Sequence, residues 1–137
     1  MDIRIGIVED QKKIRERLKA RLDFYDDLSL IVEGENAEIA LVKLSKLPEN
    51  ELPHVILMDI EMPGKSGIEA TREIKSKFPQ IDILIQTVFE DDEKIFKSIE
   101  AGASGYLLKD DPIQKYVDAI HELVDGKAAL SPLVAAK

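Results

Sequence analysis

Five short runs rich in Ile, Val and Leu alternate along this chain with five longer stretches of helical periodicity. This alternation constrains the fold more than any other feature. A strand that returns parallel to its predecessor needs a crossover of a dozen or more residues, and an amphipathic helix supplies it. The expected class is α/β, a parallel sheet with helices on both faces. A length of 137 residues suits one such domain, with a core large enough to need no covalent staple.

The most informative run is Val55-Ile56-Leu57-Met58-Asp59-Ile60-Glu61-Met62-Pro63-Gly64. Continuous apolar character bounded by turn residues marks a strand buried on both faces. Asp59 falls where that strand leaves the sheet. In open α/β sheets, ligands bind beyond the carboxyl ends of the strands, so Asp59 is a site candidate on position alone.

The other elements follow the same grammar. Ile3-Arg4-Ile5-Gly6-Ile7-Val8 reads as the first strand and ends in Glu9-Asp10. Residues 11–25 carry Ile14, Leu18, Leu22 and Tyr25 at helical spacing. Lys12, Lys13, Arg15, Arg17, Lys19 and Arg21 lie on the opposite face, either solvated or a docking strip. Residues 28–33 are a second strand; residues 36–47 a helix capped by Asn36, with Ile39, Ala40, Val42 and Leu47 toward the core. A third helix uses Ile68, Ala70 and Ile74 and ends at Phe78-Pro79, and residues 81–87 form the fourth strand. Acids at 90–93 favour the start of a helix that uses Ile95, Phe96 and Ile99 and stops near Gly102. Residues 105–108 are a fifth strand, ending at Lys109. Asp111 is expected to cap the last helix, with Pro112 at its first position. Ile113, Tyr116, Val117, Ile120 and Val124 form its buried side.

Composition excludes several functions. The net charge of −8 argues against general affinity for nucleic acid or anionic membrane. Without cysteine there is no disulfide, thiol nucleophile or Cys-based zinc site. No apolar run approaches the ~18 residues of a membrane span, and Met1-Asp2-Ile3-Arg4 opens no signal peptide. The expected setting is a soluble cytoplasmic domain with no membrane partner.

Parallel strands bring Glu9, Asp10, Asp59, Thr87 and Lys109 to one sheet edge. Three carboxylates there repel one another, and a hard divalent cation such as Mg²⁺ relieves that repulsion. An ammonium and a hydroxyl beside a carboxylate suit phosphoryl transfer, with an aspartyl-phosphate as the covalent product. Taken singly, each residue has a plainer reading: Glu9 and Asp10 as helix caps, Asp59 as a turn residue, Thr87 and Lys109 as ordinary strand-end residues. Only the shared location favours a site. His54 and His121 lack acidic or Cys partners at ligand spacing and read as structural.

The acidic pair Glu9-Asp10, the segment 59–64, Thr87, and Gly105-Tyr106-Leu107-Leu108-Lys109 together resemble the receiver domain of bacterial two-component response regulators. The resemblance covers nearly the whole chain. It implies a flavodoxin-like five-stranded sheet of order 2-1-3-4-5. It implies that Asp59 takes a phosphoryl group from a phosphohistidine on a sensor histidine kinase. Mg²⁺, or Mn²⁺ in its stead, would be held by Asp10, Asp59 and the backbone carbonyl of Glu61, with Glu9 acting through water. Thr87 and Lys109 would contact the phosphoryl oxygens. Tyr106 would turn inward as Thr87 moves, remodelling the surface of the fourth helix, fifth strand and fifth helix. Beyond its own phosphorylation and dephosphorylation, such a domain is no enzyme. The ending Gly126-Lys127-Ala128-Ala129-Leu130-Ser131-Pro132 resembles the LuxR-type subfamily, in which a helix-turn-helix domain follows. The expected division is a receiver over 1–126 and, over 127–137, the start of a linker toward an absent DNA-binding domain. The resemblance leaves open a homodimer formed on phosphorylation.

Several positions depart from the usual receiver pattern. Glu9 stands where Asp is commoner, and its longer side chain is expected to alter the ion's water shell. Val88 replaces the usual Ala or Gly after Thr87 and is expected to narrow the mouth of the site. Asp110 stands where many receivers carry a cis Pro. A cis bond to a non-proline residue costs ~3 kcal/mol, so that loop's geometry stays open. Glu61 and Phe89 are expected to tune the phosphate's lifetime. Three other readings compete. Gly64-Lys65-Ser66 resembles the end of a P-loop, but Asp59 stands where its first Gly belongs. Residues 64–67 as a GXXG nucleic-acid loop conflict with the acidic charge and the strand-to-helix position. A pseudo-receiver that only binds partners conflicts with the complete set of site residues.

Overall fold

The computed structural model describes residues 2–88 and 90–126. Its strands are β1 (Ile3–Val8), β2 (Leu28–Gly34), β3 (Val55–Asp59), β4 (Asp82–Thr87) and β5 (Gly105–Leu108). Its helices are α1 (Lys12–Leu22), α2 (Ala37–Ser45), α3 (Gly67–Lys77), α4 (Asp92–Glu100) and α5 (Ile113–Val124), with a single 3₁₀ turn at Glu49–Glu51. Neighbouring strands pair parallel in the order β2-β1-β3-β4-β5, the expected flavodoxin-like arrangement. No helix among the described residues is long and apolar enough to cross a membrane.

β3 sits at the centre, and all five of its residues are buried. Its side chains alternate between two cores. Ile56 and Met58 pack with Ala40 and Leu44 of α2, Ala70 and Ile74 of α3, and Ile95 of α4. Val55 and Leu57 pack with Leu18 and Leu22 of α1 and Val117 and Ile120 of α5. Helices thus cover both faces, and a strand with two apolar faces needs both.

The helix starts show how sequence becomes structure. Asn36 Oδ1 accepts from Ile39 N–H at 2.8 Å, the expected cap of α2. Ser66 caps α3 and Asp91 caps α4. Gly67, the first residue of α3, lies so close to β3 that a Cβ there would be 2.2 Å from the Asp59 carbonyl oxygen. Only glycine lets α3 begin directly above the end of β3. Gly64, at φ +77, turns the chain between them.

Four expectations need correction. α1 ends at Leu22 rather than reaching Tyr25. Asp23, Asp26 and Asp27 follow it, and acids are unfavourable at the negative end of a helix. Tyr25 packs beside the α1–α5 core from the ensuing turn. Val42 and Phe96 are exposed; Ala37 and Leu41 of α2 and Ser98 of α4 take the buried positions. Asp111 does not cap α5: its Oδ2 accepts from Leu108 N–H at 2.8 Å, and Pro112 is the capping residue. His121 has an acidic partner, Asp27 Oδ2 at 2.7 Å, supplied by the loop before β2 rather than by sequence neighbours. His54 does serve structure. Its Nδ1 accepts from Arg4 N–H, joining the chain before β3 to β1. No cis peptide occurs among the described residues, so Lys109–Asp110 is trans. The expected linker over 127–137 lies outside the described residues, as does Phe89.

β2 forms one edge of the sheet and β5 the other. The register of β2 with β1 slips between Ile5 and Gly6, which pair with Leu30 and Val32. Ile31 is the extra residue of this bulge. Lys43 Nζ donates to the Glu33 carbonyl on the same edge at 2.5 Å.

Candidate phosphoacceptor site

The sheet delivers the site residues by register. Glu9 and Asp10 follow β1, Asp59 ends β3, Thr87 ends β4 and Lys109 follows β5. Lys109 N–H donates to the Thr87 carbonyl at 2.8 Å, which carries the β4–β5 ladder to the edge of the site. All five expected residues therefore lie at one end of the sheet, which sequence spacing alone could only suggest.

Glu9 and Asp59 are almost wholly buried, at 0% and 1% exposed. Lys109 Nζ lies 2.9 Å from Glu9 Oε1 and 3.0 Å from Asp59 Oδ1, bridging the two carboxylates. Glu61 N–H also donates to Asp59 Oδ1, at 3.3 Å. Glu9 has a second task, since its Oε2 accepts from Gln11 N–H at 3.1 Å just before α1. Gln11 is the N-cap of α1 and no side chain caps that helix, so Glu9 steadies the approach to the helix rather than capping it.

Charge in this space is unbalanced. Burial, and then the neighbouring Glu9, push the Asp59 carboxyl up to about 7, although Lys109 pulls the other way. Burial works against the Lys109 ammonium, but its bonds to Glu9 and Asp59 outweigh that and raise its pKa. Lys109 therefore stays charged at neutral pH. One carboxylate oxygen from each of Glu9, Asp10 and Asp59 lies within 4.8 Å of the others. Asp10 Oδ1 and Asp59 Oδ2 are buried and meet no hydrogen-bond partner. Partnerless buried carboxylate oxygens are costly, and a cation with oxygen ligands would satisfy both. The donor set thus fits a hard divalent ion.

Thr87 is 5% exposed. Tyr106 is buried, with its hydroxyl 3.4 Å from Glu90 Oε1 on the loop before α4. A groove of about 430 Å³ opens beside Lys109, between α1 and α5, with Arg17, Val88 and Tyr116 in its wall. Val88 is half exposed at its mouth.

A family model for the response regulator receiver domain matches residues 5–121. The chain belongs to the receiver domain family. Among curated relatives of this receiver, the transcriptional regulatory protein YxjL of Bacillus subtilis, named as uncharacterized, is 39% identical over 137 residues; the match covers 98% of this chain and 60% of that protein. The chain spans 54–64% of the length of curated relatives such as YxjL, DegU and VraR. A LuxR-family two-component response regulator from Aurantimonas superposes with a TM-score of 0.87 at 31% identity, covering 99% of this chain and 94% of that one. This agrees with the expected subfamily. The isolated receiver domain of RcsB from Salmonella enterica, at TM-score 0.84 and 22% identity, supports the fold alone.

Three participants escaped sequence reasoning. Glu90 meets Tyr106, Lys94 of α4 pairs with the Glu61 side chain, and Arg15 bonds the Glu9 carbonyl. Each is a charged residue in a helix or loop, and only the fold identifies its partner.

Proposed function

We propose that this receiver domain accepts a phosphoryl group on Asp59 from a phosphohistidine of a sensor histidine kinase, in the cytoplasm. An Asp59 carboxylate oxygen attacks phosphorus; the P–N bond to the donor imidazole breaks as the O–P bond forms. Lys109, already bonded to Asp59 Oδ1, is close enough to take up charge on the phosphoryl oxygens. Thr87 supplies a hydroxyl from the end of β4. Glu9, Asp10, Asp59 and the Glu61 carbonyl are the groups assigned to a Mg²⁺ or Mn²⁺ ion. When bound, that ion neutralises the carboxylates and the incoming phosphoryl group. The observation that carries this reading is the pair of buried, partnerless oxygens on Asp10 and Asp59 beside a fixed ammonium.

The output reading follows from the same site. The new charge on Asp59 draws Thr87 toward it, and Tyr106 and the surface of α4, β5 and α5 follow. In a longer protein this surface would govern a DNA-binding domain and, through it, transcription. The test is intact mass after incubation with Mg²⁺ and acetyl phosphate. One added phosphoryl group is expected on wild type and none on Asp59→Asn. An unmodified wild type, or equal modification of both, would overturn the assignment and favour a pseudo-receiver that only binds partners.

A further inference from the structure

We propose that Arg15 is a positioning residue for the cation site and acts through the Glu9–Asp10 peptide; this rests on the reading of Glu9, Asp10 and Asp59 as cation ligands. Its neighbours Lys12, Lys13 and Arg17 are exposed on α1. Arg15 instead turns inward, with its side chain 12% exposed. One guanidinium nitrogen, Nη1, donates to the Glu9 carbonyl at 2.7 Å. Nε donates to Glu33 Oε1 at 2.8 Å, at the end of β2.

Glu33 is itself held in place. Lys19 lies 2.9 Å from its other oxygen. The bond to Lys19, with that to Arg15, keeps the Glu33 carboxyl below its ordinary range against the cost of burial. Glu33 therefore stays ionised at neutral pH and anchors a rigid, planar guanidinium. The result is a clamp from β2, through α1, to the residue that begins the acidic pair.

The clamp matters because the acids repel one another. Glu9 N–H donates to the Gly34 carbonyl at 3.0 Å and Glu9 Oε2 accepts from Gln11 N–H at 3.1 Å. With Arg15 on the carbonyl and Lys109 paired with Oε1, Glu9 is held at its main chain and its carboxylate alike. The backbone leading into Asp10 is thereby fixed, and Asp10 Oδ1 is held in the buried position where it has no partner. Arg15 bonds the main chain and not a ligand oxygen, so it orders the site without occupying it. Groups one step behind a metal's ligands typically change affinity about 10–100-fold when removed.

The experiment is calorimetric titration of Mg²⁺ into wild type, Arg15→Gln, Arg15→Lys, Glu33→Gln and the double variant Arg15→Gln/Glu33→Gln. Lys13→Gln is the exposed control on the same helix, and thermal unfolding in EDTA verifies that each variant is folded. Electrostatics alone would make loss of a positive charge tighten cation binding. Positioning demands the opposite sign, a Kd about tenfold weaker for Arg15→Gln. Arg15→Lys should keep most of the defect, because lysine lacks the fork that spans Glu33 and Glu9. Glu33→Gln should weaken binding in the same direction, and the double variant should be no worse than Arg15→Gln, since both act through one linkage. Mg²⁺ affinity unchanged within about twofold, or tighter, in Arg15→Gln and Glu33→Gln would overturn the proposal. A wild type that binds no Mg²⁺ would instead overturn the cation-site reading beneath it.

Discussion

Replacing Asp59 with Asn should make the cation-free protein more stable at pH 8. Asp59 is 1% exposed and crowded by Glu9 and Asp10. Its carboxyl titrates at about 7 against an ordinary 3.8, chiefly through burial. Each unit of such a difference corresponds to about 1.4 kcal/mol, so the charged form costs the fold on the order of 4 kcal/mol. The sign follows from the direction of the shift. Between 3.8 and about 7 the folded protein holds a proton that the unfolded chain has released. The penalty is therefore absent in acid, grows through that window and is complete above it. Asn keeps an acceptor for Glu61 N–H, and Lys109 keeps Glu9 as a partner. The value of about 7 already contains the pull of Lys109; imperfect pairing of the buried amide offsets part of the gain, leaving about 1–3 kcal/mol net. For a domain of this size that corresponds to a melting temperature higher by about 4–12 °C. The assay is thermal unfolding by circular dichroism in EDTA, comparing wild type and variant at pH 5 and pH 8. The gap should shrink at pH 5. A variant no more stable than wild type at pH 8, or a gap that widens on acidification, would refute the reasoning.

Two further outcomes are expected. Gly67→Ala would set a Cβ 2.2 Å from the Asp59 carbonyl oxygen. The clash with rigid backbone should destabilise the domain by about 3 kcal/mol or more, read as a lower denaturant midpoint; a loss within about 0.5 kcal/mol would show that α3 shifts freely. Val88→Ala opens the mouth of the site beside Lys109, so the phosphorylated protein should lose its phosphoryl group faster, followed by intact mass over time; an unchanged or slower loss would show that Val88 does not gate water.

The five strands were legible because each is a short, largely apolar run between helical stretches, and β1, β3 and β5 begin and end where the runs do. The convergence of Glu9, Asp10, Asp59, Thr87 and Lys109 followed from the parallel topology alone. What the sequence hid was set by tertiary partners. The buried face of α2 runs through Ala37, Ala40, Leu41 and Leu44, an i, i+3, i+4, i+7 stripe that leaves Val42 on the outside. The basic face of α1 is uniform in sequence, yet Glu33, eighteen residues beyond Arg15, buries the Arg15 side chain and pairs with Lys19 as well. Asp111 fits a helix cap by local pattern, but its carboxylate accepts from Leu108 N–H behind it in the chain instead. Asp27 found His121 across most of the chain length.

The bulge at Ile31 and the lysine on the Glu33 carbonyl have a consequence for how this protein meets others. Unpaired strand edges invite growth by main-chain pairing, which is durable and indifferent to side-chain state. Along β2 that route is blocked by a broken register and an occupied acceptor. At that edge, contacts with other molecules are left to side chains rather than to main-chain pairing. A contact built on side chains at that edge rests on individual groups and is undone by changing one of them, as a main-chain ladder is not.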